Sequence, residues 1–100
     1  MIKGIKSPFA KEVYEKNAEI YKLMANPRRL EILNIIKDQD VTVDELSLVV
    51  GIQKANTSQH LAILRHLKIV TAKRVGKNVF YKLVDPRIVE PCRILKEIWG

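Results

Sequence analysis

Between Gln53 and His60 the chain sets three carboxamides (Gln53, Asn56, Gln59), two hydroxyls (Thr57, Ser58), an imidazole (His60) and an ammonium (Lys54), with no carboxylate among them. Side chains of this kind suit hydrogen-bond recognition rather than bond making. Asn and Gln can pair through two hydrogen bonds with adenine, Ser and Thr adapt to several base edges, and a Thr methyl can meet the methyl of thymine. Gln53, Asn56, Thr57 and Gln59 are therefore the expected base readers. Catalysis is the least favoured class. The sequence has no glycine-rich phosphate loop, no Cys or Ser with a base at a recognisable spacing, and no carboxylate pair on a shared face within the region that could form a cleft.

The charge pattern extends this reading. From Leu46 to Val84 there is no acidic residue, while Lys54, Arg65, Lys68, Lys73, Arg74, Lys77 and Lys82 lie within that interval; these cations equal the formal net charge of +7. A basic block enclosing polar readers is the footprint of a polyanion-binding face. Lys54, Arg65, Lys73, Arg74 and Lys77 are expected to hold phosphates, which fixes register without reading sequence. Lys77, with Asn78, has the alternative of entering the minor groove of a flanking turn. Arg28 and Arg29 open a helix whose amides favour anions, so one of them is a candidate phosphate contact. The competing role for that pair is surface solvation or an ion pair with Glu31 or Asp44.

These residues need a scaffold, and the periodicity supplies one. Phe9, Val13, Ile20 and Met24 recur at helical spacing, widened by Ala10, Tyr14 and Tyr21, so residues 9–24 read as an amphipathic helix after Ser7-Pro8. Asn26-Pro27 reads as a cap and first position of a second helix reaching about Lys37, burying Leu30, Leu33 and either Ile32 or Ile36. Val41-Thr42-Val43 suits a stub strand, yet Thr42 also stands three residues before Glu45, the capping-box spacing. Leu46, Val49 and Val50 give a third helix its apolar face, Gly51 ends it, and Ile52 plugs the core. A fourth helix from about Lys54 to Leu67 buries Leu61, Leu64 and Leu67. Two short helices joined by a glycine-bearing turn make a helix-turn-helix.

Beyond Ile69 the period becomes two. Ile69–Val75 and Val79–Leu83 flank the turn Gly76-Lys77-Asn78 and predict a two-stranded hairpin. Asp85-Pro86 caps a last helix, 86–99, on which Ile88, Cys92, Leu95 and Trp99 recur. Pro91 places the regular start of that helix near Glu90 or kinks it there. The fold class is thus mainly α (α+β), a winged helix-turn-helix of about five helices with a hairpin wing, in a single domain over residues 1–100.

The lone Cys92 cannot form an internal disulfide, which suits a reducing compartment. It reads as a small buried hydrophobe, with an intermolecular disulfide as the alternative if it lies near a dimer axis. No apolar run approaches the ~20 residues a bilayer span needs, and Met1-Ile2-Lys3-Gly4-Ile5-Lys6 is too polar for a signal peptide, so no membrane association and a cytoplasmic location are expected.

The run Asn26-Pro27-Arg28-Arg29-Leu30-Glu31-Ile32-Leu33, the run Thr57-Ser58-Gln59-His60-Leu61-Ala62-Ile63-Leu64-Arg65 and the hairpin end Phe80-Tyr81-Lys82-Leu83, in this order of elements, resemble the ArsR/SmtB family of prokaryotic regulators over about residues 9–99. The resemblance implies a winged-helix homodimer joined through helices 9–24 and 86–99, which represses transcription from a pseudo-palindromic double-stranded DNA operator until an inducer binds. It also places Ser58 and His60 among the DNA-facing positions. The exposed-looking Phe9, Tyr14, Tyr21, Ile88, Leu95, Ile98 and Trp99 agree with such an interface.

The family's inducer sites do not carry over. Its cysteine pair in Glu-Leu-Cys-Val-Cys corresponds to Glu45-Leu46-Ser47-Leu48-Val49, without thiols, and of its inter-helix zinc ligands only Asp85 remains, followed by Pro86 and Arg87. Relatives that sense sulfur or redox state use a second cysteine near Leu33-Asn34-Ile35, also absent here. No metal, cofactor or catalytic residue is expected, and the inducer is unassigned. The main rival function is a winged helix used for protein contacts alone, which predicts an acidic or apolar recognition face; RNA binding lacks its usual aromatic platform.

Overall fold

A computed structural model describes residues 4–100; Met1, Ile2 and Lys3 of the polar N-terminal run lie outside the described residues. The elements are α1 (Lys11–Met24), α2 (Pro27–Ile36), β1 (Val41–Thr42), α3 (Val43–Val50), α4 (Lys54–His66), β2 (Val70–Val75), β3 (Asn78–Leu83), a 3₁₀ turn (Pro86–Val89) and α5 (Glu90–Trp99).

The helix starts follow their caps. Asn26 Oδ1 accepts from the Arg28 and Arg29 amides at 2.9 and 3.2 Å, with Pro27 at the first helical position where no donor is missed. Thr42 closes a full capping box: its hydroxyl accepts from the Glu45 amide at 3.2 Å, and Glu45 Oε1 accepts from the Thr42 amide at 2.9 Å. The same residue also pairs as strand, because β1 joins β3 antiparallel with Val41 opposite Tyr81 and Thr42 opposite Phe80. The predicted two-stranded wing is therefore a three-stranded sheet of order β1-β3-β2.

The hairpin turn is one residue shorter than its sequence suggests. Val75 pairs with Asn78, leaving a two-residue loop of Gly76 and Lys77. Gly76 has φ 61° at the first loop position, where its missing side chain removes the steric penalty. Gly51, at φ 78°, ends α3 in the same backbone region and donates to the Ser47 carbonyl at 2.9 Å.

One core lies between the helix-turn-helix and the sheet. Ile32, Leu33 and Ile36 of α2, Leu46 and Val50 of α3, Leu61 and Leu64 of α4, and Val70 and Leu83 of the sheet fill it. Leu30, Ile52 and Leu67 pack at its edge, partly buried. Val49 is not on the buried face of α3; it is 65% exposed, and Ser47 points inward instead.

The terminal helices behave differently. Helix α1 begins at Lys11, two residues later than its periodicity predicts, with the Phe9 ring set edge-on against Tyr14 at 5.9 Å. Only Met24 of α1 is buried and no residue of α5 is. Helix α5 starts at Glu90, which places Pro91 in its first turn, where the lost amide has no intrahelical partner to miss. Cys92 is partly exposed rather than buried. The radius of gyration is 16.4 Å over extents of 61 × 30 × 21 Å, above the ~13 Å of a compact 100-residue domain. Among the described residues, no helix is long and apolar enough to cross a membrane.

Candidate nucleic-acid interface

Helix α4 presents a polar strip on one side and anchors itself by the other. Leu61 and Leu64 fix its inner side, leaving Gln53, Lys54, Asn56, Ser58 and Gln59 exposed and His60 half-buried. Thr57 departs from the expected reader set. It has no exposure: its hydroxyl accepts from Ser47 at 2.8 Å and donates to the Gln53 carbonyl at 3.3 Å. Two hydroxyls facing each other across the helix crossing leave no polar group unpaired, so the pair fixes the α3–α4 angle and takes Thr57 away from any groove.

The cations divide by partner. Lys54 reaches Asp44 of α3 at 2.8 Å, with both side chains about two-thirds exposed. Such a pair is worth little in water and opens readily. Arg28 meets Glu31 at 3.7 Å. Among the described residues, Arg65, Lys68, Lys73, Arg74, Lys77 and Lys82 make no ion pair. Lys73, Arg74, Lys77 and Asn78 are exposed along the wing and Arg65 on the last turn of α4, so the basic strip carries uncompensated charge.

Arg29 does not point to solvent. Its Nε–H donates to His60 Nδ1 at 3.2 Å, and its Nη1 donates to the Leu23 carbonyl at 2.7 Å in the last turn of α1. Partial burial first, and the adjacent guanidinium second, hold the His60 pKa below its ordinary 6.5. Nothing in the sequence pointed to this contact, since its partners stand 31 residues apart and neither lies in a shared motif.

Asp85, the one residual acid of the family's zinc set, is engaged by Arg87 through side-chain hydrogen bonds of 2.7 to 3.2 Å and a backbone bond of 2.9 Å, which lower its pKa to about 2. Among the described residues no group of three or more His, Cys, Asp or Glu is placed to hold a metal.

The sequence profile described as bacterial regulatory protein, arsR family, matches residues 26–72, from the cap of α2 into β2. An uncharacterized HTH-type transcriptional regulator of Mycobacterium tuberculosis, Rv0081, is 34% identical over 87 residues, covering 86% of this chain and 76% of that protein. The chain belongs to the ArsR family. As an ArsR-family protein it is a winged helix-turn-helix, DNA-binding transcriptional regulator.

Other relatives of this ArsR-family chain carry opposite regulatory descriptions. The transcriptional activator HlyU of Vibrio cholerae is 32% identical over 97 residues, covering 93% of this chain and 90% of its own. Its solved structure superposes with a TM-score of 0.78 over 90% of this chain and 98% of that one, at 31% identity. A transcriptional repressor SmtB homolog of Synechocystis is 31% identical over 79% of this chain and 60% of its own length.

Proposed function

We propose that this regulator acts as a homodimer that binds a pseudo-palindromic operator with sequence preference and represses transcription by occupying it. The observation that carries the reading is the exposed, acid-free polar face of α4 running into an unpaired basic wing. Gln53, Asn56 and Gln59 face base edges, with Ser58 and His60 beside them. Lys54, Arg65, Lys73, Arg74 and Lys77 hold phosphates, and Asn78 accompanies Lys77 at the wing tip.

Dimerisation through α1 and α5 is supported by their lack of a covering surface. Phe9, Val13, Tyr14 and Tyr21 at one end, and Ile94, Leu95, Ile98 and Trp99 at the other, are each at least 40% exposed. Apolar area of this extent is unusual on a monomer and is favourable to bury. Two joined subunits would set two copies of α4 about one helical turn, roughly 34 Å, apart along the duplex.

Selection of a preferred duplex from a random library, followed by binding to that duplex and to a scrambled one, tests the reading. Replacing Gln59 or Asn56 by Ala is expected to erase preference at one base pair, about 1–3 kcal/mol, while leaving scrambled-duplex binding intact. Equal losses on both duplexes would remove the division into readers and phosphate holders. A reporter driven from the selected site should fall in output when the protein is present; a rise would replace repression by activation. The rival of a module for protein contacts alone requires no duplex preference at all.

A further inference from the structure

The contact between Arg29 and His60 bears on how α4 meets DNA, and it rests on the reading of α4 given above. A guanidinium nitrogen only donates. His60 Nδ1 is therefore the acceptor in the 3.2 Å bond from Arg29 Nε, and the imidazole proton of the neutral ring resides on Nε2. No buried side-chain nitrogen or oxygen among the described residues lacks a partner, and Nε2 makes no hydrogen bond to any described residue, so Nε2 reaches solvent. It lies on the helix that carries Asn56 and Gln59, one residue beyond the latter.

Arg29 is itself held at three points. Its amide donates to Asn26 Oδ1 at 3.2 Å, its Nη1 donates to the Leu23 carbonyl at 2.7 Å, and its Nε to His60. The Leu23 carbonyl lies among the last carbonyls of α1, which lack intrahelical partners. Placed in the first turn of α2, this one arginine thus ties the end of α1 to the middle of α4 through its guanidinium.

From this we infer that Arg29 is a positioning residue that fixes His60 in the Nε2–H tautomer, making its ring a directed, uncharged donor to an acceptor atom of the DNA, a base-edge nitrogen or oxygen or a phosphate oxygen. His60 is then the DNA-contacting group and Arg29 acts only through it. The sequence left Arg29 as a phosphate candidate and His60 as one of two DNA-facing positions; the geometry exchanges the first role for support of the second. The depressed pKa of His60 fits this arrangement, because the neutral ring is the form that can accept from Arg29.

Imidazole nitrogen NMR on the free protein tests the tautomer without DNA. The expected result is a single Nε2–H form for His60, lost in Arg29→Met; an Nδ1–H form in the wild type would overturn the inference. Binding to the library-selected duplex and to a scrambled duplex tests the contact. His60→Asn keeps an oxygen that can accept from Arg29 but leaves its amide N–H short of the Nε2 position, and should weaken the selected duplex about tenfold. His60→Gln restores a donor near Nε2 and should recover most of that loss. Arg29→Met combined with His60→Asn should bind no worse than the weaker single variant, since both act through one group. Wild-type affinity in His60→Asn would overturn the contact while the Gln59 and Asn56 results stand. Absence of any duplex preference in the wild type would remove the underlying reading and this inference with it. Should Arg29→Met melt early, the wild-type tautomer and the His60→Asn and His60→Gln pair still decide.

Discussion

Lys68 carries a left-handed backbone, φ 61°, the one positive φ outside glycine among the described residues. It closes α4 in a Schellman turn: the Lys68 amide donates to the Arg65 carbonyl at 2.9 Å and the Ile69 amide to the Leu64 carbonyl at 2.9 Å, with Ile69 and Leu64 both buried. An L side chain here costs about 1–2 kcal/mol that glycine does not. Lys68→Gly should therefore raise stability by about 1 kcal/mol, roughly 4–8 °C in Tm for a chain of this size, read by thermal melting. His60 gives a second residue-level expectation. Its folded pKa lies below the unfolded 6.5, so the unfolded chain binds more protons between the two values. Its contribution to stability is present above pH 6.5 and is lost as pH falls through the folded pKa. Urea titrations across that window should show wild-type stability declining on acidification, and His60→Asn should flatten the decline. The polar strip was legible because amides and hydroxyls crowd one helix. That Thr57 turns inward was not, since its partner Ser47 lies on another helix and only the crossing angle brings the hydroxyls together.

At the level of elements, caps and breakers carried the boundaries. Asn26-Pro27, Thr42 with Glu45, Gly51 and Pro91 each end or begin a helix where their chemistry places them. Periodicity was weaker where a face is shared. Val49 follows the apolar stripe of α3 yet lies outside, because Ser47 takes the inward position against Thr57. The stub strand β1 was ambiguous for a physical reason: Thr42 serves as strand residue and helix cap at once. Helix α5 has its apolar side open to solvent, and burial there would place Ile98 and Leu95 in a second subunit under the proposed assembly. Ile98→Glu should then shift sedimentation from dimer toward monomer and weaken operator binding, with the melting of the inner core little changed. A monomeric wild type in the same experiment would remove α5 from the interface.

Over the whole molecule, charge is segregated rather than merely positive. The acid-free interval holds cations equal to the full +7, and all the acids lie either between Glu12 and Glu45 or from Asp85 onward. Affinity for any duplex should fall steeply with salt. Replacing Lys73 or Arg74 should weaken selected and scrambled duplexes alike and reduce the salt slope by about 0.9 each; an unchanged slope would take that residue off the backbone. This segregation was readable directly from the sequence, as was the winged-helix plan. The extended outline was not, because it depends on terminal helices that bury little of their surface within one chain.

The double duty of Thr42 has a mechanical consequence. By capping α3 and pairing opposite Phe80 of the central strand, it joins the start of the helix-turn-helix to the wing at a single residue. Under the proposed function the wing and α4 then meet the duplex as one linked unit, so sequences that bend or narrow easily between the two contact points should gain affinity at base pairs no side chain touches.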